Sequence, residues 1–371
     1  MLDYIIVSFI ILTLGIFLIP KNCQYYITSA IFITLIIVTT KVAIENFIVY
    51  SGNTTLEIQY FGNNITLTVD YLSSFFILII NFTVVTGLLY AKGYLNPYIQ
   101  NKTKIELAMH YFNFILLYLS MICVVIIREG FGFLFYWELM SVSTFFLILF
   151  ESEKKEVKNA AMKFLIQMHI ALFFLITAFM ISGLSTGEII GFDSLNSYFK
   201  NNSNFPLFLL FFTGFGIKSG FIPLHTWLPY AHPAAPSHIS GIMSGVMLKM
   251  GIYGILRVVT YLHNDLFPIG LFILAISIFS GIVGVIIAIA QHDIKRLLAY
   301  HSIENIGIIG IGIGVGLIGL STNNFILASF GFAGGLLHIL NHSLFKSLLF
   351  YSSGSIYQQT HTRNIDLTLL G

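Results

Sequence analysis

Charge is what this sequence has least of. Asp, Glu, Lys and Arg make up 9% of its 371 residues, where a soluble domain carries about a quarter. So little polar surface excludes a water-soluble globular domain. Acidic and basic residues nearly cancel, 16 against 18, and a small positive net charge in so apolar a chain gives no signal for nucleic acid. Cysteine is almost missing too. Cys23 and Cys123 lie far apart with no CxxC spacing, which excludes a disulfide framework or a Cys-rich metal centre and leaves both as apolar filler. The long apolar runs also lack polar alternation, which excludes a membrane β-barrel.

What the chain does have is 57% hydrophobic residues, a mean hydropathy of +0.88 and recurring runs of about twenty apolar residues, each long enough to cross a bilayer. Without water to bond free backbone groups, such runs must be helices. The expected fold is an all-α polytopic membrane protein of about 11 transmembrane helices, near 3–19, 25–44, 70–91, 106–127, 130–150, 159–183, 206–222, 237–260, 267–290, 297–320 and 325–357. The first run begins almost at Met1 with Asp3 and no basic segment before it, as in a retained helix rather than a cleaved signal. With the N-terminus outside, Lys21, Lys92, Lys102, Lys104, Lys154, Lys155, Lys158, Lys295, Arg296 and Arg363 all fall on inner connections. The outer connections hold little beyond Arg128 and Lys200, and Glu45–Val69 has no basic residue. That asymmetry is the positive-inside pattern.

One segment breaks the helical pattern. GIKSGFIPLHTWLPYAHPAAPSHISG, 216–241, packs four prolines and several glycines between two apolar runs. Proline removes a backbone donor and clashes with the preceding turn, so the helix ending near Ile222 must unwind. Irregular backbone at membrane depth is tolerated where it lines a cavity or is buried in protein, and transporters build ion sites there.

Ionisable groups at bilayer depth cost several kcal/mol unless paired or hydrated, so each is a functional candidate. Glu138 lies mid-run in FLFYWELMSVSTFF, Lys218 just before the break, Lys249 in GVMLKMGIYG and Lys346 in NHSLFKSLLF. Lys163 is shallower and can snorkel to the inner surface. Two readings stand: structural ion pairs that pin helices, or titrating groups. Desolvation and a nearby carboxylate act on a lysine in opposite directions, so a Glu138–Lys218 pair that forms and breaks would make the lysine take up and release a proton. His338 and His342, four apart, share a helix face that Lys346 continues. That stripe suits proton relay or plain packing better than metal, because no third ligand is evident. His225, His232 and His238 fall in the break, where bonding free carbonyls is role enough, and His169 reads as a satisfied core residue. Glu304 is a relay group or a partner for Lys295 or Arg296. The GxGxxG of Gly314, Gly316 and Gly319 has no preceding strand. Gly310–Gly314 and Gly312–Gly316 read instead as GxxxG packing.

Four stretches together carry a resemblance: Trp137-Glu138-Leu139-Met140, GIKSGFIPLHTWLPYAHPAAPSHISGIMSGVMLKMGIYGILR (216–257), DIKRLLAYHSIENIGIIGIGIG (293–314) and NHSLFKSLLFYSSGSIYQQTHTR (341–363). They resemble the antiporter-like membrane subunits shared by respiratory complex I (NADH:quinone oxidoreductase), Mrp antiporters and group 4 hydrogenases. SIENIG and NHSLFKSLLF are most similar to the hydrogenase-4 component B and formate hydrogenlyase branch. The resemblance implies that Glu138 is the family's glutamate on the fifth helix, Lys218 the lysine of the broken seventh, Lys249 the central lysine of the eighth and His342 the histidine of the eleventh. Glu304 is implied more loosely, as the second-repeat counterpart of the helix bearing Glu138. It also implies three N-terminal helices in 1–105, a five-helix repeat in 106–260 and an inverted second repeat in 261–371. Family members continue through a second broken helix, so a fragment or truncated reading frame of a longer subunit is expected.

The function so implied is a non-catalytic, proton-translocating subunit of a redox-driven complex of the membrane-bound hydrogenase or NADH:quinone oxidoreductase type. Its relay residues are Glu138, Lys218, Lys249, His342, Lys346, His338 and Glu304, in a prokaryotic plasma membrane. The alternative is an Mrp-type sodium/proton antiporter subunit, and a scaffold held by ion pairs is a third. No cofactor or metal site is expected. Redox centres belong to a peripheral arm on partner subunits, beside other membrane subunits, with protons as cargo and sodium as the alternative.

Overall fold

The computed structural model describes residues 13–49, 53–60 and 63–367. Most of the first expected helix lies outside the described residues, which begin with a short helical stretch passing into a 3-10 turn at Ile16–Leu18. Helix α1 spans Lys21–Ile48. Strands β1 (Asn53–Tyr60) and β2 (Asn63–Asp70) then pair antiparallel, Asn53 opposite Asp70 and Tyr60 opposite Asn63. This hairpin occupies the connection that the hydropathy pattern leaves as a plain loop.

Asp70 closes the hairpin and opens α2 (Tyr71–Asn101), accepting the Ser73 amide at 2.8 Å as an N-cap. Helix α2 runs on through Lys92 and Pro97, about ten residues past its expected end. A Thr103–Glu106 capping box starts α3 (Lys104–Ile126). Glu129 accepts the amides of Phe131 and Gly132 at 2.7 and 2.6 Å and starts α4 (Gly130–Glu151). Helix α5 (Lys155–Thr186) ends at Gly187, and a short amphipathic helix, α6 (Phe192–Asn201), lies across the connection that follows. Helix α7 (Asn204–Ser219) stops at Gly220, whose φ of +85° is open to glycine at little cost. That is about three residues earlier than the sequence suggests, because the left-handed turn at Gly220, rather than Pro223, ends the helix. After an unwound stretch come α8 (Leu228–Ala234) and α9 (Ser237–Val259), which contains a π-turn at Met243–Met247. Helices α10 (Leu266–Ile289), α11 (Ile294–Ser321) and α12 (Phe325–Thr360) complete the bundle.

Nine helices among the described residues are long and apolar enough to cross a membrane, and the chain is a multi-pass α-helical membrane protein. Helix α7, at 16 residues, is the interrupted one. The glycines of α11 act as the spacing suggests. A Cβ on Gly312 would stand 2.7 Å from the Gly335 amide of α12, and one on Gly314 would stand 2.8 Å from the Leu274 amide of α10. Their absence lets three backbones approach closely.

The connections gather at two ends. At one, Lys21 donates to the Lys102 carbonyl, Lys102 pairs with Glu153, Lys295 reaches the Ala235 carbonyl and Arg363 the Pro233 carbonyl. At the other, Arg128 meets Asp70, Phe192 N bonds the Arg128 carbonyl and Asp265 accepts from Ser203 and Asn204. The basic connections assigned inside share the first end.

Candidate functional site

The site is built around the break. Unwinding after Ser219 frees carbonyls that side chains then bond: Trp227 Nε1 donates to Ile217 O at 2.8 Å, Ser240 Oγ to His232 O at 2.8 Å and Lys295 Nζ to Ala235 O at 2.8 Å. Of the break histidines, His225 bonds the Pro223 backbone as expected, but the other two do not fill this role. His232 is wholly buried with neither ring nitrogen hydrogen-bonded to protein, and His238 bonds another histidine. A seryl hydroxyl, an indole and an ammonium reach the carbonyls instead.

Lys218, in the last turn of α7, is wholly buried. Its ammonium donates to Ser141 Oγ at 2.9 Å and sits 4.5 Å from the centroid of the Trp137 ring. Both partners come from α4, on either side of Glu138. The Glu138 carboxylate itself stands in ion-pair range of His169 on α5, Oε1 to Nε2 3.3 Å, with both oxygens outside hydrogen-bond alignment. The Lys218 ammonium thus meets the stretch of α4 that carries Glu138 without touching its carboxylate. His169 is 55% exposed, not a core residue as expected. Its Nδ1 lies 2.8 Å from the Leu165 carbonyl, which turns Nε2 toward Glu138.

Lys249 is wholly buried on α9, and its ammonium donates to the Ser244 carbonyl within the π-turn. The turn thus supplies the ammonium with an acceptor five residues back along α9. Ser244 Oγ in turn bonds Ser302 Oγ of α11 at 2.7 Å. On α12, His342 is wholly buried with neither ring nitrogen bonded to protein, and it lies within electrostatic reach of Lys249, Lys346 and His338. The His338 and His342 rings stack at 6.2 Å. His338 Nε2 bonds Asn305 Oδ1 at 2.9 Å, and Lys346 Nζ donates to Leu298 O at 2.9 Å. Glu304 pairs with His301 at 2.5 Å, not with Lys295 or Arg296. Among the described residues, none of Lys218, Lys249 and Lys346 has a carboxylate in ion-pair range, only neutral acceptors.

Three features escape the sequence reading. Lys295, assigned to an inner connection, is buried. His110 of α3 meets His238 of α9, Nε2 to Nε2 2.8 Å. At the opposite end Asp70 receives Arg257 through both oxygens, at 2.5 and 2.9 Å, and Arg128 at 2.9 Å. Burial alone would raise the Asp70 carboxyl, but the Arg257 hydrogen bonds and the two guanidinium charges outweigh it and hold the group well below the usual carboxylate range. A cavity of 460 Å³ at the basic end is lined by Tyr94, Glu151, Lys163, Tyr230, Lys295 and Arg296, among others. Lys163 lies there over the Tyr230 ring, 3.8 Å from its centroid, as a shallow residue would.

Residues 129–369 match the family described as the transmembrane region of NADH:quinone oxidoreductase and Mrp antiporters. The chain belongs to that family. The match takes in the break and every candidate residue named from the sequence, as the resemblance implied. Among family relatives, hydrogenase-4 component B of Escherichia coli (strain K12) is 40% identical over 311 residues, 82% of this chain and 45% of the relative. NADH-quinone oxidoreductase subunit M of Rickettsia bellii (strain RML369-C) is 32% identical over 240 residues, 63% of this chain and 45% of the relative. The chain spans less than half the length of these curated relatives. The solved Mrp complex from Dietzia sp. DQ12-45-1b shares the fold, with TM-score 0.76 and 22% identity over 96% of this chain and 38% of that one. The archaeal membrane-bound sulfane sulfur reductase shares it too, with TM-score 0.73 and 21% identity over 91% of this chain and 52% of that one.

Proposed function

We propose that this chain is a proton-translocating membrane subunit of a redox-driven complex of the hydrogenase or NADH:quinone oxidoreductase type. Protons move between Glu138, Lys218, Lys249 and His342, with Lys346, His338 and Glu304 continuing the line. The observation that carries this reading is three buried lysines with only neutral hydrogen-bond partners. Helix-pinning ion pairs would place a carboxylate against each, because a lone buried charge costs several kcal/mol. Without one, the protonation of each lysine is set by the charge at the next site. The unbonded nitrogens of His232 and His342 are where internal water has partners to bond, joining the steps.

The redox chemistry belongs to partner subunits, and the names of the relatives support such an assembly. In this reading α3, α4, α5, the broken α7–α8 and α9 form the first five-helix repeat, 106–260, and α10 opens the inverted second, 261–371, after N-terminal helices within 1–105. The basic end faces the cytoplasm of a prokaryote and the N-terminus lies outside, supported by Lys102, Lys154, Lys163, Lys295, Arg296 and Arg363 at that end.

The test uses everted membrane vesicles from the native host, offered H2, formate and NADH in turn as electron donor. Lys218→Met and Lys249→Met are each expected to lower donor-driven acidification at least tenfold while the complex still assembles. Unchanged pumping in both would sink the proposal. Acidification driven by a sodium pulse without any donor would replace the redox half of it with sodium/proton exchange.

A further inference from the structure

The pair formed by His110 and His238 belongs to none of the steps above. His110 stands in the second turn of α3 and His238 is the second residue of α9. Both rings are buried, 4% and 0% exposed, and their Nε2 atoms are 2.8 Å apart. A contact of that length needs an N–H on one ring and a lone pair on the other, so one proton lies between them and at most one ring is cationic. The Nδ1 atom of each ring is buried and has no protein hydrogen-bond partner. A pair that served only to tie α3 to α9 would have no use for two further nitrogens buried in this way, each of which is costly unless bonded.

The surroundings give the pair two sides. On the His110 side, Glu106 lies one turn earlier on α3 and pairs with Lys102, which also pairs with Glu153 at the basic end. His110 packs on Phe150 with 4.7 Å between ring centroids, and Lys102 Nζ lies 5.4 Å from that same ring. On the His238 side, Tyr94 stands 5.6 Å away and stacks on Tyr98, whose hydroxyl donates to Glu151 at 2.6 Å. Tyr94, Glu151 and Lys295 line the cavity, and the charge of Lys295 reaches His238.

We propose that His110 and His238 form a two-imidazole proton relay between the ionic cluster at the basic end of α2–α3 and the Pro-rich break, an entrance separate from Glu138. The inference rests on the proton-translocating reading above. The step balances. A proton binds His110 Nδ1, the His110 Nε2–H passes to His238 Nε2, and His238 releases its Nδ1–H into the break. One proton enters, one leaves, and both rings end neutral in the opposite tautomer. Rotation alone leaves a tautomer unchanged, so the pair resets when each ring exchanges protons with water, His110 gaining Nε2–H and losing Nδ1–H and His238 the reverse.

Glutamine separates relay from structure, because its amide can hold a hydrogen bond to the remaining ring but cannot pass a proton through by exchanging tautomers. In the native vesicles, with the full-length chain and assembly followed on native gels, His110→Gln and His238→Gln are each expected to lower donor-driven acidification at least tenfold. The double variant is expected to be no worse than either single one, as for steps in series. Glu138→Gln is the control. Wild-type pumping in both glutamine variants, with Glu138→Gln inactive, overturns the relay and leaves the function standing; wild-type pumping in all three overturns both. Should the variants fail to assemble, nitrogen NMR of histidine-labelled wild-type chain in liposomes decides. A strong Nε2–H···Nε2 coupling with one donor and one acceptor is expected, and two uncoupled Nε2 atoms overturn the proposal.

Discussion

Replacing Asp70 with asparagine removes one negative charge and little else. Asparagine caps a helix as well as aspartate does, so the bond from the Ser73 amide survives and α2 still starts at Tyr71. What is lost is the counter-charge for Arg257 and Arg128, which are 4% and 6% exposed. Breaking a buried pair by removing one partner costs about 3–5 kcal/mol. Asp70 is 22% exposed, so the lower end applies, about 3 kcal/mol, even with two guanidinium groups left facing an amide. At roughly 2 °C per kcal/mol for a long chain, that is a fall of about 6 °C in melting temperature. The assay is thermal unfolding in lipid nanodiscs followed by tryptophan fluorescence, since both tryptophans, Trp137 and Trp227, are fully buried and report the core. The pH dependence has a defined sign. The folded carboxyl is held below its unfolded value, so its contribution is whole above about pH 4 and is lost as pH falls further. The gap between wild type and variant is therefore constant from neutral pH to about 5 and narrows only below about 4. A variant melting within about a degree of wild type at neutral pH refutes the argument, as does a gap that closes on the alkaline side.

Ser141→Ala takes away the hydroxyl that accepts from Lys218 at 2.9 Å. With the ammonium left only the Trp137 face, donor-driven pumping is expected to fall about tenfold, the rate equivalent of one hydrogen bond of about 1.4 kcal/mol; an unchanged rate in vesicles refutes it. Gly251→Val would set a Cβ 2.2 Å from Ser219 Oγ and 2.4 Å from the Phe215 carbonyl. This forces α7 and α9 apart, and the variant is expected to be absent from membranes by immunoblot. Trp227→Phe deletes the 2.8 Å bond to Ile217 O and leaves that buried carbonyl unpaired, a loss of about 1–3 kcal/mol that should register as a lower melting temperature with α7 otherwise intact.

The membrane fold was legible because its cause is periodic and local: apolar runs, prolines at 216–241 and lysines stranded at bilayer depth are all visible along the chain. Lys218, Lys249 and Lys346 are buried as their flanks suggest. What escaped depends on partners distant in sequence. Arg257 finds Asp70 across 187 positions, and His110 finds His238 across 128. Near a helix start, a histidine gives no sign of whether it faces lipid, water or another imidazole. Lys295 resembles any basic residue at a membrane border until Ala235, freed by the break, offers it a carbonyl. The hairpin at 53–70 and helix α6 were missed for another reason. Both lie in connections, where the membrane imposes no periodicity.

The π-turn at Met243–Met247 holds one residue more than an α-turn would, and everything beyond it on α9 is turned by about 100°. Lys249, Tyr253 and Arg257 follow at intervals of four along a single stripe, so that rotation aims the central lysine and the outer arginine together. The surplus residue is free to slide along a helix only if the far end can revolve. Here it cannot, because Arg257 grips Asp70 through both carboxylate oxygens. The ion pair at the membrane border thus acts as a dowel that sets the phase of the helix, and with it the direction in which Lys249 points.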